Sequence, residues 1–123
     1  MLLSVFSAPR QIESEAALYD AAIKILVRRA HSVHEMKQAL ERRCEDHALL
    51  KKVMTRLKNA GLIDDERYAR QFARHRAEGR KQGRFRVARD LRARGVPDRY
   101  IEAALEGMSL ARKNDSQIGR AHV

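Results

Sequence analysis

The chain has 123 residues, enough for one modest core, and carries 26 Lys plus Arg against 16 Asp plus Glu, a net charge of +10. Aromatics make up 5%, Trp is absent, and Gly and Pro number 6 and 2, which favours short helices over strands rich in β-branched and aromatic residues. The single cysteine rules out an internal disulfide, no apolar run approaches a membrane span, and the charge surplus points to polyanions as partners.

Residues 1–13 lack a helical period and are expected to form a flexible segment; the apolar stretch in "MLLSVFSAPR" is too short for a signal peptide and has no basic region ahead of it. A soluble cytoplasmic protein with no membrane contact is therefore expected. The first helix is predicted from Ser14 to about Ala30, with Leu18, Ala22, Ile25, Leu26 and Arg29 on one stripe. Ser32-x-x-Glu35 then has capping-box spacing, in which each side chain satisfies a free backbone N–H of the other. Met36, Ala39, Leu40 and Arg43 define a short second helix. A third runs from about Asp46 to Asn59 on Leu49, Leu50, Val53, Met54 and Leu57, and Gly61 ends it.

"GLIDDERYARQFARHR" opens the second half. Asp64 suits an N-cap, and Asp65 places negative charge in the first turn, where it complements the helix dipole. Adjacent carboxylates on a helix diverge by about 100°, so a catalytic pair is not expected. The fourth helix, Asp65 to about Glu78, is expected to bury Tyr68, Phe72, Ala69 and His75. "EGRKQG" reads as a break, and Gly83 precedes a fifth helix from Arg84 to Arg94, with Val87, Ala88 and Leu91 inward and Phe85 at the margin. Gly95 caps it. Pro97 fits the first turn of a sixth helix on Tyr100, Ile101, Ala104 and Leu105, ending at Gly107.

The two halves repeat. A shift of about 51 residues sets Ser32 on Gly83, Met36 on Val87, Leu40 on Leu91, Cys44 on Gly95 and Leu50 on Ile101. The expected organisation is all-α, elongated, with tandem helix-turn-helix-like repeats of three helices at 14–63 and 64–108. Residues 109–123 are expected to hold the start of a third repeat followed by a non-native tail, since "IGRAHV" matches one reading frame of a common sequencing adapter.

Charge divides unevenly. The first set reads as nearly balanced, whereas Glu66 to Arg99 holds twelve basic residues, eleven of them Arg, against Glu66, Glu78, Asp90 and Asp98. Clustered charge of one sign costs self-repulsion, and the planar guanidinium suits phosphate and carboxylate. Arg67, Arg70 and Arg74 are expected to share a helix face, with Lys81, Arg86 and Arg89 continuing it across the turn. "GRFRVARD" offers no Asn or Gln at a recognition-helix start, so phosphate or acidic-surface contact is expected rather than base reading.

Other chemistry is not legible. His31, His34, Cys44 and His47 straddle helix ends without the paired, tight spacing of a structural zinc site, so no metal is expected. "GRKQGR" lacks the order of a phosphate-binding loop. No nucleophile–base set is visible, and neither enzymatic activity nor a cofactor is expected.

Three stretches together, "AAIKILVRRAHSVHEMKQAL", "LKNAGLIDDERYARQF" and "GRFRVARDLRARGV", resemble the bacterial RecX regulatory proteins. The family pattern falls on Arg29, Ser32, Glu35 and Met36; on Gly61, Leu62, Ile63, Asp64, Asp65, Arg67, Tyr68 and Ala69; and on Gly83, Arg86, Val87, Leu91, Arg94 and Gly95. The likeness spans about residues 16–108, and Met36 and Cys44 depart from the commoner Leu and Gly. It implies tandem three-helix repeats, normally three. It also implies a monomeric modulator of the RecA recombinase that lies in the groove of the RecA filament on single-stranded DNA. There it would restrain strand exchange, ATP hydrolysis and coprotease action in DNA repair, recombination and the SOS response, with direct DNA contact possible. Two other readings of the basic surface are a stand-alone helical DNA-binding module and an adaptor for an acidic protein.

Overall fold

The computed structural model describes residues 11–80 and 83–108; residues 1–10, Lys81 with Gln82, and the 109–123 stretch lie outside the described residues. Helix α1 spans Glu15–Arg28, α2 Val33–Glu41, α3 His47–Asn59, α4 Asp65–His75 and α5 Arg84–Ala93. A further helix, α6, covers 98–108, and no strand occurs among the described residues. The chain divides between Asp64 and Asp65 into two compact units.

Polar caps start the helices of the first unit. The Ser14 hydroxyl accepts from the Ala17 N–H at 3.1 Å. At α2 the box is complete: the Glu35 N–H donates to the Ser32 hydroxyl and the Ser32 N–H to the Glu35 carboxylate, each at 3.1 Å. Burial alone would raise the Glu35 carboxyl, but the Ser32 N–H, the Arg29 guanidinium and His31 together hold it below its ordinary value. The Asp46 carboxylate accepts from the Ala48 and Leu49 N–H groups at the start of α3. Gly61, at φ +72°, closes α3: its N–H donates to the Lys58 carbonyl and the Leu62 N–H to the Leu57 carbonyl, a Schellman pair.

The amphipathic stripes converge on one core of Leu18, Ala22, Met36, Leu40, Cys44, Leu50, Val53, Met54, Leu57 and Ile63. Arg56 ties α3 to α1, reaching Glu15 at 2.9 Å and lying 4.1 Å over the Tyr19 ring. Arg29 lies just past the end of α1 as its C-cap. Ile12 falls in the stretch expected to be flexible, yet its N–H donates to the Arg43 carbonyl at 2.8 Å and its side chain packs on the core.

The second unit buries Ala69, Ala73, Val87, Ala88, Leu91, Val96, Ile101, Ala104 and Met108, with Tyr68 and Phe72 half-buried beside them. Helix starts coincide with the first unit at an offset of 51: Val33 with Arg84, and 47 with 98. Buried positions coincide as well, Met36 with Val87, Leu40 with Leu91, Leu50 with Ile101, Val53 with Ala104 and Leu57 with Met108. Gly95, at φ +76°, repeats the Schellman pair through Arg92 and Leu91.

Several expectations need correction here. His75 is exposed, and Ala73 occupies the core in its place. Phe85 is not marginal but 94% exposed, because Val87, Ala88 and Leu91 already fill the face of α5 that meets the core. The chain does not break at once after α4; a π-helical turn, Arg76–Arg80, continues it. Pro97 precedes α6 rather than lying in its first turn, and its carbonyl accepts from Tyr100 and Ile101. Gly107 does not end α6, since the helix runs through it to bring Met108 into the core.

Candidate polyanion-binding surface

Helix geometry fixes where the arginines of α4 point. At about 100° per residue, Arg67, Arg70 and Arg74 fall within roughly 60° of one another, on the side away from Ala69 and Phe72. All three are exposed, while Ala69 and Ala73 are buried. On α5 the same geometry places Arg86 and Arg89 opposite Val87, Ala88 and Leu91, and both are exposed. The arginines thus form two stripes, three on α4 and two on α5. Lys81, expected to bridge them, lies outside the described residues.

Ion pairs engage part of these stripes. Arg70 lies 3.7 Å from Glu66 in an i,i+4 pair with both partners more than half exposed. Such a pair is worth about 0.3–0.5 kcal/mol and is screened by salt. Arg89 reaches the neighbouring Asp90 carboxylate at 3.6 Å while remaining 71% exposed. Arg74 and Arg86 have no ion pair among the described residues.

The start of α5 is built against its own stability. Gly83 occupies the N-cap without a side-chain hydrogen bond, and the first turn contains no acidic residue. Instead Arg84 and Arg86 place two cations at the positive end of the helix dipole, where like charge costs about 0.3–1 kcal/mol each. The matching turn of α2 has Ser32 and Glu35. A polyanion laid along this end would relieve the repulsion.

Not every arginine belongs to the surface. Arg76 and Arg94 lie 4.5 and 4.7 Å from the Phe72 ring. Arg76 also pairs with the Asp90 carboxylate at 3.4 Å, and Arg94 donates to the Asp90 carbonyl at 3.0 Å. Both are half-buried and serve to close the unit around Phe72. Arg92 pairs with Asp98 at 3.0 Å, and Arg99 lies over Tyr100 at 4.6 Å. Tyr68 stacks on Phe72 at 6.0 Å.

The remaining candidates have structural places. Ser32 and Glu35 cap α2, Leu91 is fully buried, Gly61 and Gly95 terminate helices, and α4 begins at Asp65, directly after Asp64. Of the histidine and cysteine set, Cys44 is buried with its Sγ 3.7 Å from the Asp46 carbonyl, His31 Nδ1 lies 3.0 Å from the Arg29 carbonyl, and His34 and His47 are exposed. No three His, Cys, Asp or Glu side chains gather as a metal site among the described residues. None of the described helices is long and apolar enough to cross a membrane.

The near-balance expected of the first unit also needs correction. Residues 14–63 hold ten basic and six acidic side chains, a surplus of four. Of the acids, Glu15, Glu35 and Asp46 are engaged in a salt bridge or helix caps.

Two three-helix units sharing one offset define a tandem helical-repeat protein. The family model described as "RecX, second three-helix domain" matches residues 64–105. The regulatory protein RecX of Halorhodospira halophila is 43% identical over 90 residues, 73% of this chain and 55% of that protein. That of Chlorobium phaeobacteroides is 33% identical over 87 residues, 71% of this chain and 58% of that protein. The crystal structure of RecX from Lactobacillus salivarius shares the fold with a TM-score of 0.72 at 20% identity, over 86% of this chain and 75% of that one. The chain belongs to the RecX family of regulatory proteins, and it spans a little over half the length of these two relatives.

Proposed function

We propose that the chain regulates the RecA recombinase by binding the RecA filament on single-stranded DNA through the second unit, and that this restrains RecA's ATP hydrolysis, strand exchange and coprotease action. The observation that carries this reading is the stripe of Arg67, Arg70 and Arg74, exposed and opposite the core of its unit. The cationic first turn of α5 supports it, because evolution of a helix for stability alone would place acid there. Arg86 and Arg89 extend the contact.

The mechanism is occupation. A basic helical body held in an acidic filament groove competes with the next RecA subunit or with the second DNA strand, and no chemistry is needed. Phosphate or carboxylate partners make the contact salt-sensitive. The paired reversal Arg70→Glu and Arg74→Glu changes the charge of the stripe by four while touching no core residue. It should abolish most of the inhibition of RecA ATPase and leave the far-UV circular dichroism and melting of the chain intact. Full inhibition by the reversed protein would remove α4 from the contact.

A further inference from the structure

One aromatic ring of the second unit stands in solvent. Phe85 is 94% exposed, takes no part in the core of its unit, and makes no ring stack or cation–π contact among the described residues. The other described rings, Tyr19, Tyr68, Phe72 and Tyr100, are all half-buried. Arginines surround the free ring. At about 100° per residue, Phe85, Arg86 and Arg89 share one stripe of α5, and Arg84 immediately precedes the ring. All three arginines are exposed. We infer that Phe85 is a protein-binding anchor, which enters an apolar pocket rimmed by carboxylates on the partner. The inference rests on the function proposed above, under which that partner is a RecA subunit.

Neither the helix nor the core calls for a ring at this position. Phenylalanine is a weaker helix former than alanine, leucine, lysine or glutamate, and Val87, Ala88 and Leu91 already fill the buried face of α5. A single exposed apolar side chain is ordinary on a protein surface; the company of Phe85 sets it apart. Arg84 and Arg86 have no ion pair among the described residues, and Arg89 stays 71% exposed beside Asp90. Aromatic rings and arginines are the side chains enriched where binding energy concentrates in protein interfaces. A ring offers a large apolar area on two rotatable bonds, so fixing it costs little conformational freedom. The guanidiniums around it then fix the sign of the pocket's rim, because their planar forks suit carboxylates.

Two other occupants fit the surface less well. Single-stranded nucleic acid stacks successive bases on several rings, whereas Phe85 is the one exposed ring among the described residues. A second copy of the chain would bring the same arginines against these, and like charges set opposite one another disfavour that pairing. A protein pocket that is apolar within and acidic at its edge matches both the ring and its surroundings.

The test is equilibrium binding of the labelled full chain to RecA filaments on single-stranded DNA, and to the same strand without RecA, at about 50 and 200 mM salt. Phe85→Ala removes no contact of the fold, so circular dichroism and melting should be unchanged. It should weaken filament binding roughly thirtyfold. The factor should be the same at both salts, because no charge is lost, and binding to the bare strand should not change. Phe85→Leu, which keeps apolar bulk, should recover most of the affinity, whereas Arg86→Ala should weaken binding chiefly at low salt. Full filament binding by Phe85→Ala overturns the anchor and leaves the RecA reading standing. A native chain with no preference for the filament overturns the RecA reading and the anchor with it. An equal loss on the bare strand, restored by Phe85→Trp and not by Phe85→Leu, makes Phe85 a base-stacking ring and overturns the proposal. So does a native dimer that Phe85→Ala dissociates, since the occupant is then a second copy.

Discussion

Gly83 and Ser32 occupy equivalent N-caps with nearly identical backbones, φ −75° and ψ 165° against φ −70° and ψ 165°. Only Ser32 supplies a side-chain acceptor, so Gly83→Ser should transplant the cap of the first repeat into the second. Space is available, because a Cβ at Gly83 meets no heavy atom within 4 Å. A serine N-cap is worth a few tenths of a kcal/mol over glycine, and the loss of glycine's freedom in the unfolded chain adds about 0.4–1 kcal/mol. The gain should be about 0.5–1.5 kcal/mol. Gly83→Ala isolates the hydrogen bond: it makes the same entropic change without the acceptor and should fall about 1 kcal/mol short of serine. Urea unfolding followed by circular dichroism reads both variants, with unchanged m-values expected. Equal midpoints for serine and alanine would show that the two caps are not equivalent and would refute the transplant.

Two further outcomes follow from side-chain environments. Glu35 is held below the ordinary glutamate value of 4.5, so its stabilisation is present above that pH and is lost as the pH falls through the lowered folded value. Glu35→Gln should flatten the acid limb of a stability–pH profile below about 4.5, and an identical limb would assign it to other carboxylates. Phe72→Leu keeps apolar bulk but removes the ring between Arg76 and Arg94; it should cost about 1–2 kcal/mol in urea unfolding, and an unchanged midpoint would show that the two guanidiniums gain nothing from the ring.

Much of the fold is visible in local chemistry. Ser32-x-x-Glu35 and Asp46 mark helix starts because short side-chain acceptors satisfy free N–H groups, and Gly61 and Gly95 mark ends because both take positive φ. The departures come from packing. Phe85 is large and apolar, yet α5 offers the core a narrow face that Val87, Ala88 and Leu91 fill. Gly107 looks like a stop, but the stripe of Ile101 and Ala104 needs one more member, Met108.

The candidate surface was legible only in part for a related reason. The spacing of Arg67, Arg70 and Arg74 is a property of one helix and can be read from the sequence. Arg76 and Arg94 look the same in a charge count, yet they close around Phe72 instead of facing solvent.

The central claim is that the basic second unit recognises a RecA filament and not merely DNA. Its most direct test is equilibrium binding of the labelled chain to RecA filaments preassembled on single-stranded DNA, beside the same DNA without RecA, at one salt concentration. Tighter binding to the filament, lost on reversing Arg70 and Arg74 to glutamate, is the predicted result. Equal affinity for filament and naked strand would contradict it and leave a stand-alone DNA-binding module.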